Sequence, residues 1–308
     1  MKTVISNASA ASGASASGLQ SEIDLFINQA DLSTETKRAY RNAIRQFTTW
    51  AEDMTLTTDI IKTYKTYLLN IGLAPNTASV YLAALKQFFS YLVEKGILLF
   101  NPAREVKRPR VPRTHQRDAL TAEEARRFLD SIIRDSLKGY RDYAMANLMV
   151  RTGIREIEAS RALVCDMVEK EGERILGIQG KGRDSKDSFV VLTDEAYGPI
   201  AEYLALRDGV SDASPLFASV GNRSRGRLST RAIRQIISHY MKKAGLKTKR
   251  ITPHSLRHTA ITLAIDGGNG NNLVQVQQMA RHVNISTTLG YFHEFQRIKN
   301  AAERCIRI

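Results

Sequence analysis

The sequence predicts a mainly α-helical protein with a small antiparallel β-sheet, divided into two domains. Apolar residues recur at three- and four-residue steps along most of the chain, which is the period of amphipathic helices. The period changes only near residues 175–192, where two short apolar runs flank a polar Gly-Lys-Gly turn. A basic stretch containing proline separates the two helical parts, and 308 residues with 43% hydrophobic content suffice for two cores.

Residues 1–20 are predicted to be a flexible tail, because a low-complexity Ser/Ala/Gly tract cannot bury apolar surface. A four-helix domain is predicted over 21–105, beginning with a short helix at 21–30. Ser33 opens the next helix, and two more follow, the last after Pro75 and before Gly96. The apolar residues that define these three helices are Tyr40, Ile44, Phe47 and Trp50, then Ile61, Tyr64 and Leu68, then Leu82, Leu85, Phe89 and Leu92.

The stretch 103–117 carries six Lys or Arg residues against one Glu, and Pro109 and Pro112 prevent a helix. We predict an extended basic linker at 106–115. The second domain then covers 116–308 and begins with a capping box, Thr121 to Glu124. A helix over 140–151 ends at Gly153, two strands follow, and helices begin behind Thr193, Ser229 and Pro253.

Lys and Arg outnumber Asp and Glu by 45 to 31, a formal charge of +14, which favours a polyanionic partner without identifying it as nucleic acid. Cys165 and Cys305 belong to no metal-binding or disulfide pattern, so a reducing compartment is expected. Because no apolar run reaches membrane-spanning length, the expectation is a soluble cytoplasmic protein.

Four short motifs follow one another in a particular order. They are TGIREIE with Arg155, GKG with Lys181, HSLRH with His254 and Arg257, and His282 nine residues before Tyr291. Each residue alone has a structural interpretation: a surface arginine, a turn lysine, a satisfied histidine, a half-buried aromatic ring. The complete order is hard to obtain by chance.

These motifs resemble those of the tyrosine recombinases of the phage-integrase and Xer-like family, over residues 21–308. The resemblance implies an N-terminal SAM-like core-binding domain and an α+β catalytic domain. It also implies Tyr291 as nucleophile, Glu158 as a supporting acid, and five activating residues: Arg155, Lys181, His254, Arg257 and His282. The chain departs from the family where Ala280-Arg281-His282 replaces Leu-Gly-His, and Lys186 competes with Lys181 for the lysine role.

The residue types suit attack on a phosphodiester. Guanidinium groups of Arg155 and Arg257 can each bind the nonbridging oxygens in a bidentate manner, where negative charge develops. A phenol of pKa about 10 needs a base or a positive field. By analogy with the family, His254 is that base and Lys181 is the acid for the 5′ oxygen. A 3′-phosphotyrosyl link would conserve bond energy, so rejoining should need no ATP and no cofactor is expected. No metal is expected either, because no Asp/Glu cluster in the sequence indicates a metal site.

The partner is expected to be duplex DNA with paired half-sites, around which the two domains close as a C-shaped clamp, so the protein is expected at the nucleoid. The synaptic complex is expected to be a homotetramer, with a possible DNA-bending or directionality accessory protein. The segment after Tyr291 is expected to pack on its own domain or on a neighbouring protomer. A type IB topoisomerase and a non-catalytic DNA-binding regulator remain alternatives. Basic residues predicted to contact phosphates are Lys37, Arg38, Arg41, Arg45, Lys62, Lys65, Lys86, Lys107, Arg108, Arg110 and Arg113.

Overall fold

The computed structural model describes residues 19–52, 54–110, 118–180, 185–220, 226–268, 272–299 and 305. The chain forms two units, Met1–Thr114 and His115–Ile308. The described residues contain twelve α-helices and three β-strands, so the predicted fold class, mainly α with a small antiparallel sheet, is confirmed. Among those helices, none has the length and apolar character that crossing a membrane requires.

The first unit contains four helices, and side-chain caps fix where two of them begin. They are α1 (Gln20–Gln29), α2 (Thr34–Trp50), α3 (Thr58–Asn70) and α4 (Pro75–Glu94). The Ser33 hydroxyl accepts a hydrogen bond from the Thr36 N–H at 3.3 Å, and Thr57 caps α3 in the same way. Pro75 lies in the first turn of α4, where its missing N–H costs nothing.

The core of the first unit is aromatic. Phe47 packs edge-on against Tyr64 and Phe89, with ring centroids 5.0 and 5.7 Å apart. Leu19 and Val106 are also buried in this core. The packed part of the unit therefore includes Leu19 from the predicted tail and Val106 from the predicted linker.

The second unit contains the remaining helices and the three strands. Two of its helix ends lie where the sequence predicts them. The Thr121 capping box is present, with the Glu124 N–H 3.1 Å from Thr121 Oγ1 and the Thr121 N–H 2.9 Å from Glu124 Oε2. Gly153 ends its helix as predicted. The helices are α5 (Ala122–Asp130), α6 (Leu137–Thr152), α7 (Glu156–Arg161), α8 (Asp194–Ala205), α9 (Thr230–Lys243), α10 (Ser255–Gly267), α11 (Leu273–Ala280) and α12 (Ile285–Lys299).

The sheet has one strand more than the sequence indicated. It is antiparallel in the order β1 (Met167–Lys170), β2 (Glu173–Ile178), β3 (Ser188–Val191). Strand β1 was not predicted because its sequence, MVEK, is exposed apart from partly buried Met167 and so lacks the apolar alternation of a strand. Leu176 and Val190 are paired across the sheet and pack into the main core of the unit.

A smaller apolar cluster lies apart from that main core. Ile261 and Ile265 of α10 meet Val276 and Ala280 of α11, and Tyr291 of α12 packs against them. This cluster joins the three C-terminal helices into one layer and determines where the motif residues of α10 and α12 lie.

Candidate functional site

The C-terminal end of α6 determines where Arg155 lies. Gly153 has φ of 63°, in the left-handed region, and its N–H donates to the Met149 carbonyl at 3.0 Å. A Cβ at this position would also lie 3.3 Å from the Ala260 Cβ. The chain leaves α6 sharply at this glycine, and Arg155 becomes the residue directly before α7.

Glu158 is the acceptor around which the arginines are arranged. Its side chain is fully buried. It accepts hydrogen bonds from the Arg155 N–H at 2.7 Å, from Arg155 Nη1 at 2.8 Å and from Arg281 Nη2 at 2.7 Å. Burial acts to raise the pKa of Glu158, but the charge of Arg281 and the bonds from Arg155 outweigh it, and the net pKa is lowered. The carboxylate is therefore ionised at neutral pH.

Arg257 joins the ends of two other helices. It lies buried in the first turn of α10, where Nη1 donates to the Gly153 carbonyl at 2.6 Å and Nη2 donates to the Ala280 carbonyl. Burial, together with the charges of Arg155 and Arg281, lowers the pKa of Arg257 to about 9, which leaves it protonated at neutral pH. The site therefore contains a buried cation fixed through two backbone carbonyls.

His282 follows the left-handed residue that ends α11. Its N–H donates to the Gln277 carbonyl at 3.1 Å, and its Nδ1 lies 2.9 Å from Thr288 Oγ1. Burial, followed by the charges of Arg257, Arg155 and Arg281, lowers the pKa of His282 to about 4. At neutral pH the imidazole is uncharged, with one nitrogen held by a buried hydroxyl.

Tyr291 lies on α12 and is partly buried. Its ring is nearly parallel to that of His282, with centroids 6.3 Å apart and an interplanar angle of 13°. The His258 ring lies 5.2 Å away, and the His254 ring is 5.1 Å from that of His258. Two imidazole rings therefore lie beside the Tyr291 ring, and Arg257 is close enough to interact with Tyr291 electrostatically.

A cleft of about 1180 Å³ opens beside Arg155 and His282. Arg155, Glu158, Arg281 and His282 line one part of it, and Phe189 and Val191 of β3 line another. Guanidinium groups and a neutral imidazole along one wall make this cleft suited to a phosphate ester.

The structure brings together most of the residues predicted for catalysis. Arg155, Arg257 and His282 are connected through Glu158, Gly153 and Ala280, while Tyr291 and His254 contact the same cluster through aromatic rings. Lys181 lies outside the described residues. Its competitor, Lys186, forms an ion pair with buried Asp166.

Three residues near the site were given no role from the sequence: His258, Arg281 and Thr288. His258 stands in the quoted HSLRH motif, four residues after His254, and this spacing places both on one helix face. Thr288 is three residues before Tyr291 and so shares its side of α12. Nothing local in the sequence pointed to the contact of Arg281 with Glu158, because 123 residues separate them.

The basic residues predicted to contact phosphates lie mainly on α2, α4 and the segment after α4. Arg41 and Arg45 pair with Asp24 at 3.2 and 3.5 Å, and Lys86 donates to the Arg104 carbonyl. Arg38 lines a groove between α2 and α4 together with Asn42 and Asn76. Lys37 is partly buried, Lys62 pairs with Asp59, Lys65 donates to the Lys107 carbonyl, Arg108 and Arg110 are exposed, and Arg113 lies outside the described residues.

Comparison with protein families finds two models that match the chain. Residues 118–297 match the phage integrase family, and residues 23–96 match the phage integrase N-terminal SAM-like domain. Together they include most of α1, all of α2 to α4 and all the candidate catalytic residues.

Curated relatives extend over almost the whole chain. A tyrosine recombinase XerC from Thermodesulfovibrio yellowstonii is 31% identical over 282 residues, which are 87% of this chain and 90% of the relative. A tyrosine recombinase XerC from Vibrio vulnificus is 28% identical over 94% of this chain and 92% of its own length.

Solved structures with the same fold include recombinases bound to DNA. The post-cleavage complex of the XerH site-specific recombinase with palindromic difH substrate has a TM-score of 0.74 at 21% identity, covering 94% of this chain and 84% of that one. The lambda integrase tetramer bound to a Holliday junction has a TM-score of 0.69 at 18% identity, covering 89% and 76%.

Proposed function

The chain belongs to the phage integrase family and is a site-specific tyrosine recombinase, and we propose that Tyr291 forms a covalent 3′-phosphotyrosyl link to DNA during strand exchange. One observation carries the proposal. The Tyr291 ring lies against two histidine rings, beside a buried Arg257 that is itself connected to Arg155 through Gly153 and the α6–α7 turn. This is a phenol placed in a positive field, which an attack on phosphorus requires.

The cleavage step exchanges one phosphate ester for another. The Tyr291 oxygen bonds to phosphorus, the bond from phosphorus to the 5′ oxygen breaks, and the phenolic proton passes to His254, the base suggested by family resemblance. Lys181 supplies a proton to the departing 5′ oxygen, so the products are a phosphotyrosine and a 5′ hydroxyl. The same groups act in reverse when a 5′ hydroxyl of another strand attacks the phosphotyrosine.

Charge at the phosphate is balanced by donors fixed before the substrate arrives. Arg257 uses two of its five N–H groups on the carbonyls of Gly153 and Ala280, which orients the rest of the guanidinium. Arg155 keeps Nη1 on Glu158 and directs its remaining donors to the nonbridging oxygens. With a pKa of about 4, His282 acts as a neutral hydrogen-bond donor through Nε2 when Thr288 donates to Nδ1.

The DNA is held by the first unit as well as by the site. Lys37, Arg38, Arg41, Arg45, Lys86, Lys107, Arg108, Arg110 and Arg113 provide the phosphate contacts, each adding salt-dependent affinity through counterion release. Strand exchange takes place on paired half-sites within a homotetramer and passes through a Holliday junction, the kind of DNA to which the lambda integrase tetramer is bound in its crystal structure.

The first test identifies the DNA site and the nucleophile together. The protein is incubated with fragmented genomic DNA of its source, covalent adducts are isolated under denaturing conditions, and the attached ends are sequenced. A duplex with that site and a nick beside the cleavage position then traps the intermediate. Tyr291→Phe should bind this duplex and form no adduct, whereas the control Tyr197→Phe, on α8, should form it at the rate of the unaltered protein.

Other outcomes favour the other activities. A protein that binds specific DNA but yields no adduct on any fragment is a regulator, and the proposal fails. Adducts that form on arbitrary sequences, with relaxation of supercoils and no recombinant products, favour a topoisomerase. Recombinant products from two copies of the mapped site support the proposal.

A further inference from the structure

Arg281 adopts a backbone conformation that an arginine rarely takes. Its φ is 55° and its ψ is 43°, in the left-handed region, at the residue that ends α11. An L residue is strained there because its Cβ crowds the following carbonyl oxygen, and such strain persists when surrounding contacts over-determine the conformation. Among the described residues other than glycine, Glu171 is the other one with positive φ.

The contacts that hold Arg281 lead out of its own helix. Nη1 returns to the Met279 carbonyl at 2.7 Å, and Nη2 reaches Glu158 Oε2 on α7 at 2.7 Å. The side chain is 9% exposed. A buried charge costs free energy unless it is paired. The Arg281 guanidinium and the Glu158 carboxylate therefore each offset the cost of burying the other.

Glu158 is shared between Arg281 and Arg155. Oε1 accepts from Arg155 Nη1, while Oε2 accepts from both the Arg155 N–H and Arg281 Nη2. The carboxylate therefore lies between one arginine that precedes α7 and another that ends α11. Movement of either arginine would break a charge-assisted hydrogen bond in a buried site.

Each residue of Ala280-Arg281-His282 is held by a different part of the site. The Ala280 carbonyl accepts from Arg257, the Arg281 guanidinium donates to Glu158, and the His282 ring meets Thr288. Arg281 is the link of this tripeptide to α7, and so to Arg155.

We propose that Arg281 is a positioning residue for recombination, which fixes His282 relative to Arg155 by bridging the end of α11 to Glu158. This inference rests on the proposed function. Arg281 also contributes, after burial and the charges of Arg257 and Arg155, to the lowered pKa of His282.

The test replaces Arg281 by residues that keep the backbone conformation and remove the guanidinium. Glycine adopts positive φ without strain, and asparagine tolerates it. Glu171→Gly, in the β1–β2 turn, is the matched control for placing glycine at a positive φ. Single-turnover cleavage of the nicked duplex, DNA affinity and the pH dependence of cleavage are measured for each variant.

Arg281→Gly and Arg281→Asn are expected to cleave on the order of 10- to 100-fold more slowly, the cost of a small misplacement of a reacting group. Their Kd for the duplex should change less than about threefold, because a buried, paired guanidinium adds little attraction at a distance. The acidic limb of the cleavage profile should move to higher pH as His282 loses a neighbouring cation. Arg281→Lys, which keeps a charge within reach of Glu158, should restore part of the rate.

A double-mutant cycle tests whether Arg281 acts through Glu158. In a Glu158→Gln background, Arg281→Gly should slow cleavage by much less than it does alone, because the partner is already lost. Independent, multiplying effects would overturn the proposal, as would wild-type cleavage by Arg281→Gly, or failure of both neutral variants to fold. If the unaltered protein itself forms no adduct, the proposed function fails first, which distinguishes the two.

Discussion

Replacing Glu158 by glutamine tests how far the arrangement of the arginines depends on one buried carboxylate. The substitution keeps the shape of the side chain but turns one acceptor oxygen into an N–H donor. That donor must face Arg155 or Arg281, both of which also donate. The two guanidinium groups then lose their counterion in a buried site.

The expected loss of stability follows from those contacts. Three hydrogen bonds reach Glu158, whose side chain is 0% exposed. Removing one partner of a buried ion pair costs about 3–5 kcal/mol. For a unit the size of His115–Ile308, this lowers Tm by roughly 10 °C.

Glu156→Gln is the matched control, on the same helix with the same chemical change. Its partner, Arg234, is 61% exposed and lies 3.4 Å away. A pair with so exposed a member contributes about 1 kcal/mol or less. Urea or thermal unfolding of the two variants beside the unaltered protein compares them directly. A loss for Glu158→Gln no larger than that for Glu156→Gln would refute the reasoning.

The pH dependence provides a second check on Glu158. The pKa of Glu158 is lower in the folded protein than in the unfolded chain. Its contribution to the stability of the fold is therefore present above the unfolded pKa and is lost as pH falls through the folded pKa. The stability difference between the unaltered protein and Glu158→Gln should stay constant from pH 8 to about 5 and shrink below about 4.3. A difference that disappeared between pH 8 and 6 would contradict this assignment.

Three further predictions concern neighbouring groups. The pKa of His282 is about 4 in the folded protein and about 6.5 in the unfolded chain, so the protein should lose stability as pH falls from 6.5 to 4. This loss should be smaller in His282→Gln. An NMR titration that placed the pKa of the His282 ring near 6.5 would contradict the prediction. Thr288→Val removes the hydroxyl beside His282 Nδ1. Cleavage should slow about fivefold at unchanged DNA affinity, because the lost hydrogen bond contributes about 1 kcal/mol. An unchanged rate would show that the hydroxyl does not orient the ring. Asp142→Asn breaks the buried ion pair with Arg141 and the hydrogen bond from Tyr240. The second unit should lose about 3–5 kcal/mol of unfolding free energy, measured in urea, while cleavage per folded molecule is retained. Equal stability of the variant and the unaltered protein would contradict the role of this pair.

The sequence was informative where a signal is local. Ser33, Thr121 and Gly153 marked helix ends because a cap depends on residues within one turn, and the helical period identified the core-facing residues of α2 to α4. Strand β1 was missed because its partner, not its own composition, determines its pairing. Pairing and burial against distant elements are invisible to a pattern that spans only a few residues.

The same limit applies to the site. The order of the motifs predicted Arg155, His254, Arg257, His282 and Tyr291 as candidate catalytic residues, but not the contacts that hold them. The bond from Arg281 to Glu158 joins elements far apart in sequence, and the hydroxyl beside His282 belongs to the next helix, α12. The role of Lys181 stays a prediction, since it lies outside the described residues.

The two backbone carbonyls bound by Arg257 affect the choice of an inactive variant. Because its guanidinium joins Gly153 after α6 to Ala280 in α11, removing it would release both segments and raise amide hydrogen exchange around them. An Arg257 variant that fails to bind DNA would then report local opening as much as lost chemistry. Tyr291→Phe deletes one hydroxyl from a partly buried ring and is the cleaner choice for separating DNA binding from the proposed cleavage.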